Sequence, residues 1–184
     1  MEFNGVWQHI PCRPEILAPN NEWEHTWKLV RLRGLDSDLT SFNFKLVHGL
    51  LVTKKRMHQL NPVTPFTCTH CNDLVEEDLQ HALLSCSYND GVGQSLLAAV
   101  QNILPDVTPD CLLRLELGNL QEDDELSLVT VISTCLMETW KKRFEKLRIR
   151  LYDIRATLEA RCLLLRETRF SENSQSLVNL VSLL

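Results

Sequence analysis

Between Asp124 and Phe170 the chain holds neither glycine nor proline, and its apolar residues recur at helical spacing. Val129, Ile132, Leu136, Trp140, Phe144, Leu147, Leu151, Ile154, Leu158, Cys162 and Leu165 follow one another in steps of three or four. Their mean step is about 3.6 residues, the period of a straight α-helix and not that of a coiled coil. The acidic run "EDDE" precedes the stripe and basic residues fill its second half, the polarity that a helix dipole prefers. The pattern predicts one long helix over about 125–170, or two nearly continuous ones. "FSENSQ" then caps a short apolar helix, "SLVNLVSLL".

Upstream the same period recurs in shorter pieces. Trp23, Trp27, Val30 and Leu32 mark a helix that Asn20 or Asn21 caps and Gly34 stops. The two tryptophans read as core residues, with base stacking as the alternative. A second helix starts near Ser37 or Asp38, carries Leu39, Phe42, Leu46 and Leu50 inward, and ends near Gly49. Thr53 caps a short basic helix, "KKRMHQL", that stops before Pro62, and "NPVTPF" is a rigid linker. "QSLLAAVQNIL" is one more helix, closed by Pro105; "PDVTPD" is a turn, and "CLLRLELGN" is either a strand or a short helix. Pro11, Pro14 and Pro19 make the first residues an irregular arm. The fold class is therefore mainly α. It divides into an arm over 1–20, a helical segment over 21–62, a cysteine-bearing lobe over 63–90 and a second helical segment over 91–184.

Charge changes the picture by its segregation. The net charge of −5 combines +2 over residues 1–67, −12 over 68–139 and +5 over 140–184. Two mildly basic ends around an acidic centre do not have the uniform basic balance of most nucleic-acid proteins. No apolar run approaches the length of a membrane span, and the first residues have no apolar core of a secretory signal. Seven cysteines, an odd number, argue against a fully paired disulfide framework and for a reducing, intracellular compartment, nuclear or cytoplasmic. Cys12, Cys111, Cys135 and Cys162 stand alone, and the last two sit among helix-compatible apolar residues as buried thiols.

The other three cysteines lie in "FTCTHCNDLVEEDLQHALLSC". A C-x2-C pair alone is a weak signal in a chain with seven cysteines. Here Cys68 and Cys71 are followed by His81 and Cys86, all within 19 residues and after a proline-bracketed linker. A tight turn lets two thiolates bind one ion while turn amides donate to sulfur. His81 then projects from a helix, and Cys86 closes the site near its end. Three thiolates and one imidazole fill the closed tetrahedral shell of structural zinc. His70 is the alternative ligand, with awkward geometry beside Cys71. The acidic Glu76, Glu77 and Asp78 read as dipole-matched capping on a solvated face.

"LTSFNFKLVHGLLVTKKRMHQL", this cysteine segment, "METWKKR" and "IRATLEARCLLLRETRF" together resemble the C-terminal region of reverse transcriptases from LINE-type (non-LTR) retrotransposons. The resemblance spans about residues 23–170, and it is most specific in "SFNFKLVHGLLVTKKR" with the CCHC knuckle. It implies a zinc-bearing module, with Cys68, Cys71, His81 and Cys86 as ligands, that engages RNA or DNA. Lys54, Lys55 and Arg56, with Arg31 and Arg33, and then Lys141, Lys142 and Arg143, are the candidate phosphate contacts; a solvated helix face is the alternative for each cluster. The chain lacks a polymerase domain, as expected of a fragment or of a stand-alone descendant of such an element. The acidic centre sits where a nucleic-acid knuckle would be basic.

Two further functions compete. The acidic segment favours a protein-interaction or scaffold module, with a protein partner or a second copy docking along the helix over 126–170. A metal-dependent endonuclease would need carboxylates for a hard cation, usually with a lysine beside them. Pro109, Asp110 and Asp123 offer such a pattern, but no lysine lies between Lys55 and Lys141. The expectation is a non-catalytic module, with neither a nucleophile triad nor a phosphate-binding glycine loop.

Overall fold

The computed structural model describes residues 22–71, 73–118, 120 and 122–168. The expected arm over 1–20, the final apolar helix and Cys12 lie outside these residues, as do the side chains of Trp23, Asp123 and Cys162. Helices α1 (Glu22–Val30), α2 (Ser37–Val47) and α3 (Lys54–Leu60) precede the knuckle. A π-helical turn (His81–Ser85) and a single 3-10 turn (Ser87–Asn89) close the knuckle. Helices α4 (Val92–Gln101), α5 (Pro109–Arg114), α6 (Glu122–Phe144) and α7 (Leu151–Thr168) follow. Among the described residues there is no β-strand, only two isolated bridges. The chain is mainly α.

Local chemistry sets most of the boundaries. Asp36 caps α2 by accepting from the Leu39 N–H at 2.8 Å, and Thr53 caps α3 by accepting from the Arg56 N–H at 3.2 Å. Thr108 caps α5 with Pro109 in its first turn, which settles the start of "CLLRLELGN" as a short helix. Gly49 ends α2 at φ +61°, where the Leu50 N–H reaches the Lys45 carbonyl at 2.7 Å and the Gly49 N–H reaches Leu46 at 3.0 Å. This is the Schellman pattern, in which a left-handed residue folds two amides back onto orphan carbonyls.

Helix α6 is the centre of the molecule. Residues 125–137 are buried without a break, and α1, α2, α4, α7 and the π-turn all pack against it. Small hydroxyl side chains among them (Ser127, Thr130, Ser133, Thr134) allow this close approach on every side. Glu125, also buried, accepts from Lys28 and pairs with His25, each at 2.9 Å, tying α1 to α6. Burial works against its charge, but the contacts with Lys28 and His25 outweigh burial and hold the carboxyl below its usual value.

The apolar stripe over 125–170 breaks in two. After Phe144, Lys146 enters the left-handed region at φ +55°. Its N–H donates to Arg143 at 3.1 Å and the Leu147 N–H donates to Lys142 at 2.8 Å, the Schellman pattern again without a glycine. Phe144, on the predicted stripe, is 81 % exposed, while Ile149, off it, is fully buried. The register restarts in α7 with Ile154 and Leu158 against the core, and Lys142 bridges to Asp153 at 2.8 Å. No helix among the described residues is long and apolar enough to cross a membrane.

Candidate metal centre

Residues 66–68 and 75–77 pair as the two sides of a small ribbon. The Cys68 N–H donates to the Val75 carbonyl at 2.8 Å and the Glu77 N–H to Phe66 at 2.9 Å, with Thr67 bridged to Glu76. Cys68 and Cys71 sit where this ribbon turns, and the His70 N–H donates to Cys68 Sγ at 3.4 Å. The first two ligands are thus held by turn geometry, as the C-x2-C spacing demands.

The second pair needs a different device. In an α-helix five residues rotate a side chain through about 500°, leaving it roughly 140° from its start. His81 and Cys86 would then face apart. The helix that carries them widens into a π-turn, closed by the Cys86 N–H to His81 carbonyl bond at 2.9 Å. That wider turn brings residue i+5 back under residue i. Asp78 Oδ1 accepts from the His81 N–H at 2.8 Å and steadies the start of the turn.

The four ligand atoms converge within 4.8 Å of one another, and all four residues are buried. Cys68 Sγ and Cys86 Sγ are 3.8 Å apart, and Cys71 Sγ is 3.4 Å from His81 Nε2. A tetrahedral shell with bonds of about 2.3 Å to sulfur and about 2.0–2.1 Å to nitrogen puts two sulfurs about 3.8 Å apart, and sulfur and nitrogen about 3.5 Å apart. The donor set fits a four-coordinate metal ion. A disulfide, at about 2.05 Å, does not fit these separations, and the cysteines are free. His70, the alternative ligand, stays outside the cluster with its ring 5.0 Å from that of Tyr88.

The surroundings suit a thiolate at Cys68. Arg143, which projects inward from the last turn of α6, donates to Cys68 Sγ at 2.9 Å, to Cys86 Sγ at 3.3 Å and to Glu77 Oε2 at 2.8 Å. Burial weakens an arginine's charge, yet these acceptors outweigh it and hold the guanidinium charged more firmly than usual. Burial also works against the Cys68 thiolate, but the N–H groups of Cys71 and His70 and the charge of Arg143 hold this thiol below its ordinary value. Burial pushes Cys71 up to about 12, with the neighbouring sulfurs adding to the effect. Three thiolates and a divalent ion would leave one net negative charge, and the buried Arg143 would face it. Outer groups of this kind orient and tune metal ligands.

Glu77 completes the arrangement. Its Oε1 accepts from the Lys54 N–H at 3.1 Å and its carbonyl accepts from the Lys55 N–H at 3.1 Å, so one residue joins the knuckle to both α3 and α6. The expectation of a solvated acidic face is corrected here: Glu77 is 5 % exposed because its carboxylate is paired internally.

The predicted phosphate contacts are scattered by the fold. Arg143, expected to reach phosphate, is 3 % exposed and turned onto the thiols, because it lies on the face of Leu136 and Thr139. Arg56 donates to the Gly49 carbonyl at 2.7 Å, Lys55 pairs with Glu76, Lys141 with Glu138, and Lys142 with Asp153. Arg31 lies 5.6 Å over the Trp27 ring, and Trp27 is half-buried against the core as expected. Arg33 is exposed, while the first helical residue of α3, Lys54, is half-buried beside the knuckle. Of the endonuclease pattern, Pro109 opens α5 and Asp110 pairs with Arg114 at 2.8 Å. Sequence reasoning missed the roles of Arg143 and Glu77. The signal for Arg143 was its step of seven from Leu136, which puts it on the buried face.

No protein-family model matches the chain, and neither a curated protein nor a solved structure matches it.

Proposed function

We propose that this chain is a non-catalytic, zinc-stabilised helical module related to the C-terminal region of LINE-type reverse transcriptases, and that it binds RNA or DNA. The convergence of Cys68, Cys71, His81 and Cys86 carries the metal part of this reading. Soft thiolates favour zinc over magnesium or calcium. Four protein ligands leave no open coordination position, so the ion's role is to hold the fold, as in structural sites. Zinc would join the ribbon to the π-turn, while Arg143 and Glu77 fasten the result to α6 and α3.

The nucleic-acid part is supported by the resemblance in the residues around the knuckle. It is tested by titrating zinc-loaded protein against labelled RNA and DNA over a range of salt concentrations. Binding whose logarithm falls linearly with log salt supports it, because phosphate contacts release counterions. A salt-independent or absent signal overturns it.

A second reading, a protein-interaction module, has its own observation. Phe144, Leu147 and Tyr152 stand exposed at the α6–α7 junction. The face of α6 over 125–137 is occupied within the chain, so a protein partner or a second copy would use this junction and α7 instead. Concentration-dependent mass by light scattering, abolished by Phe144→Ser with Tyr152→Ser, favours this reading over the first.

A further inference from the structure

We propose that the outer faces of α1 and α2 form a docking site for an acidic peptide. Trp27, Phe44 and His48 receive one of its apolar side chains, and Arg31, Lys45 and Arg56 bind the carboxylates beside it. The proposal goes beyond both readings above and rests on neither. The three rings meet where the last turns of α1 and α2 come together. Trp27 lies 4.9 Å from His48 and 6.1 Å from Phe44, and Phe44 lies 4.3 Å from His48, ring centre to ring centre. Trp27 is anchored against the core, whereas Phe44 is 41 % exposed. On α2, Ser41, Phe44, Lys45 and His48 recur at helical spacing, on the side away from buried Leu39, Phe42 and Leu46.

Three cations border these rings. The Arg31 guanidinium lies 5.6 Å over the Trp27 ring, and Lys45 stands exposed on the face of Phe44. Arg56 donates to the Gly49 carbonyl at 2.7 Å, which fixes its guanidinium at the end of α2, one residue past His48. Among the described residues no carboxylate pairs with any of the three, whereas Lys28, Lys55 and Lys142 each hold one. The chain has no acidic residue between Glu24 and Asp36, nor between Asp38 and Asp73. Glu125, which reaches α1 from α6, is buried and already held by Lys28 and His25. The face is therefore positive, and its charge calls for an anionic partner.

The ring geometry favours a peptide over a nucleic-acid strand. The ring planes are inclined to one another by 46–48°, and Arg31 already covers a face of Trp27. Stacked bases need open, flat faces. Inclined rings make a notch for one aliphatic or aromatic side chain, and arginines beside it match carboxylates. Tryptophan and arginine are also the side chains that most often carry the binding energy of protein interfaces.

The test is fluorescence anisotropy of a labelled peptide of about 12 residues, two central phenylalanines between runs of glutamate, against the full chain purified with zinc. The proteins are wild type, Phe44→Ser, Arg31→Gln with Lys45→Gln, Arg31→Lys with Lys45→Arg, and Phe144→Ser, each established as folded by circular dichroism. Phe44→Ser and the Gln pair should each lose about tenfold or more in affinity, as truncated interface anchors do. The charge-keeping pair and Phe144→Ser should bind as wild type does, and a peptide with lysines for its glutamates should not bind. Binding that is equal in wild type and folded Phe44→Ser overturns the proposal. So does the absence of wild-type binding at about 1 mM peptide. Displacement by single-stranded RNA as effective as by unlabelled peptide would mean a general polyanion surface and also overturns it.

Discussion

The guanidinium of Arg143 donates to the sulfur of Cys68 at 2.9 Å, across 75 residues of sequence. The same nitrogen donates to Glu77, so a single side chain near the end of the central helix joins the metal centre to the core of the fold. Occupancy of the candidate metal centre and packing of α6 would therefore be linked.

Removing Arg143 should damage both. Arg143→Ala leaves Glu77 buried without its cation, a change that typically costs about 3–5 kcal/mol. Loss of the outer hydrogen bonds to two thiolates should also weaken metal affinity by roughly 10–100-fold. Urea unfolding and a chelator competition measure the two effects separately. Unchanged affinity in a folded variant would mean that the guanidinium has no part in holding the metal.

Gly93 faces the π-turn. A Cβ placed there would lie 2.3 Å from the backbone of Leu84, and backbone cannot rotate aside. Gly93→Ala should destabilise the chain by at least about 1–3 kcal/mol, the cost of overpacking a tight core. Because the π-turn carries His81, zinc affinity should fall with it. A melting temperature equal to wild type would show that α4 packs more loosely than this.

Lys146 predicts the opposite sign. It holds φ +55° on an exposed turn, a conformation that costs a residue with a Cβ about 1 kcal/mol and costs glycine little. Lys146→Gly should stabilise the fold by up to that amount in urea unfolding. A loss of stability would contradict the left-handed helix end.

The Glu125 pairs give a pH dependence. The folded carboxyl is held below its unfolded value of about 4.3, so its contribution is complete above that pH and is lost as pH falls through the lower folded value. Glu125→Gln should be less stable than wild type at pH 6–7, by about 1–3 kcal/mol for hydrogen bonds to charged groups. That gap should narrow below about pH 4. A gap independent of pH would place its origin in packing.

How much of this was legible in the sequence depended on how local each signal was. Thr53 as a cap, Gly49 as a helix end and the four knuckle ligands are written in short spacings, and the structure places them as read. The break at 145–150 was hidden because a lysine takes the conformation usually left to glycine, with the apolar period running on unbroken around it. Leu115 ends α5 in the same way at φ +55°. Arg143 was grouped with Lys141 and Lys142 by composition, when its position on the face of Leu136 separated it from them. Glu77 looked like part of an acidic run because its partners lie 23 residues before it and 66 after it.

The most direct measurement is the metal content of tag-free protein, purified without chelator, for wild type and for Cys71→Ser. Structural zinc of this kind contributes on the order of 10 kcal/mol or more near neutral pH, so a folded wild type should retain it through purification. The account predicts about one zinc per chain in wild type and its loss in Cys71→Ser. A folded wild type without zinc, or a Cys71→Ser variant that keeps it, would contradict the account.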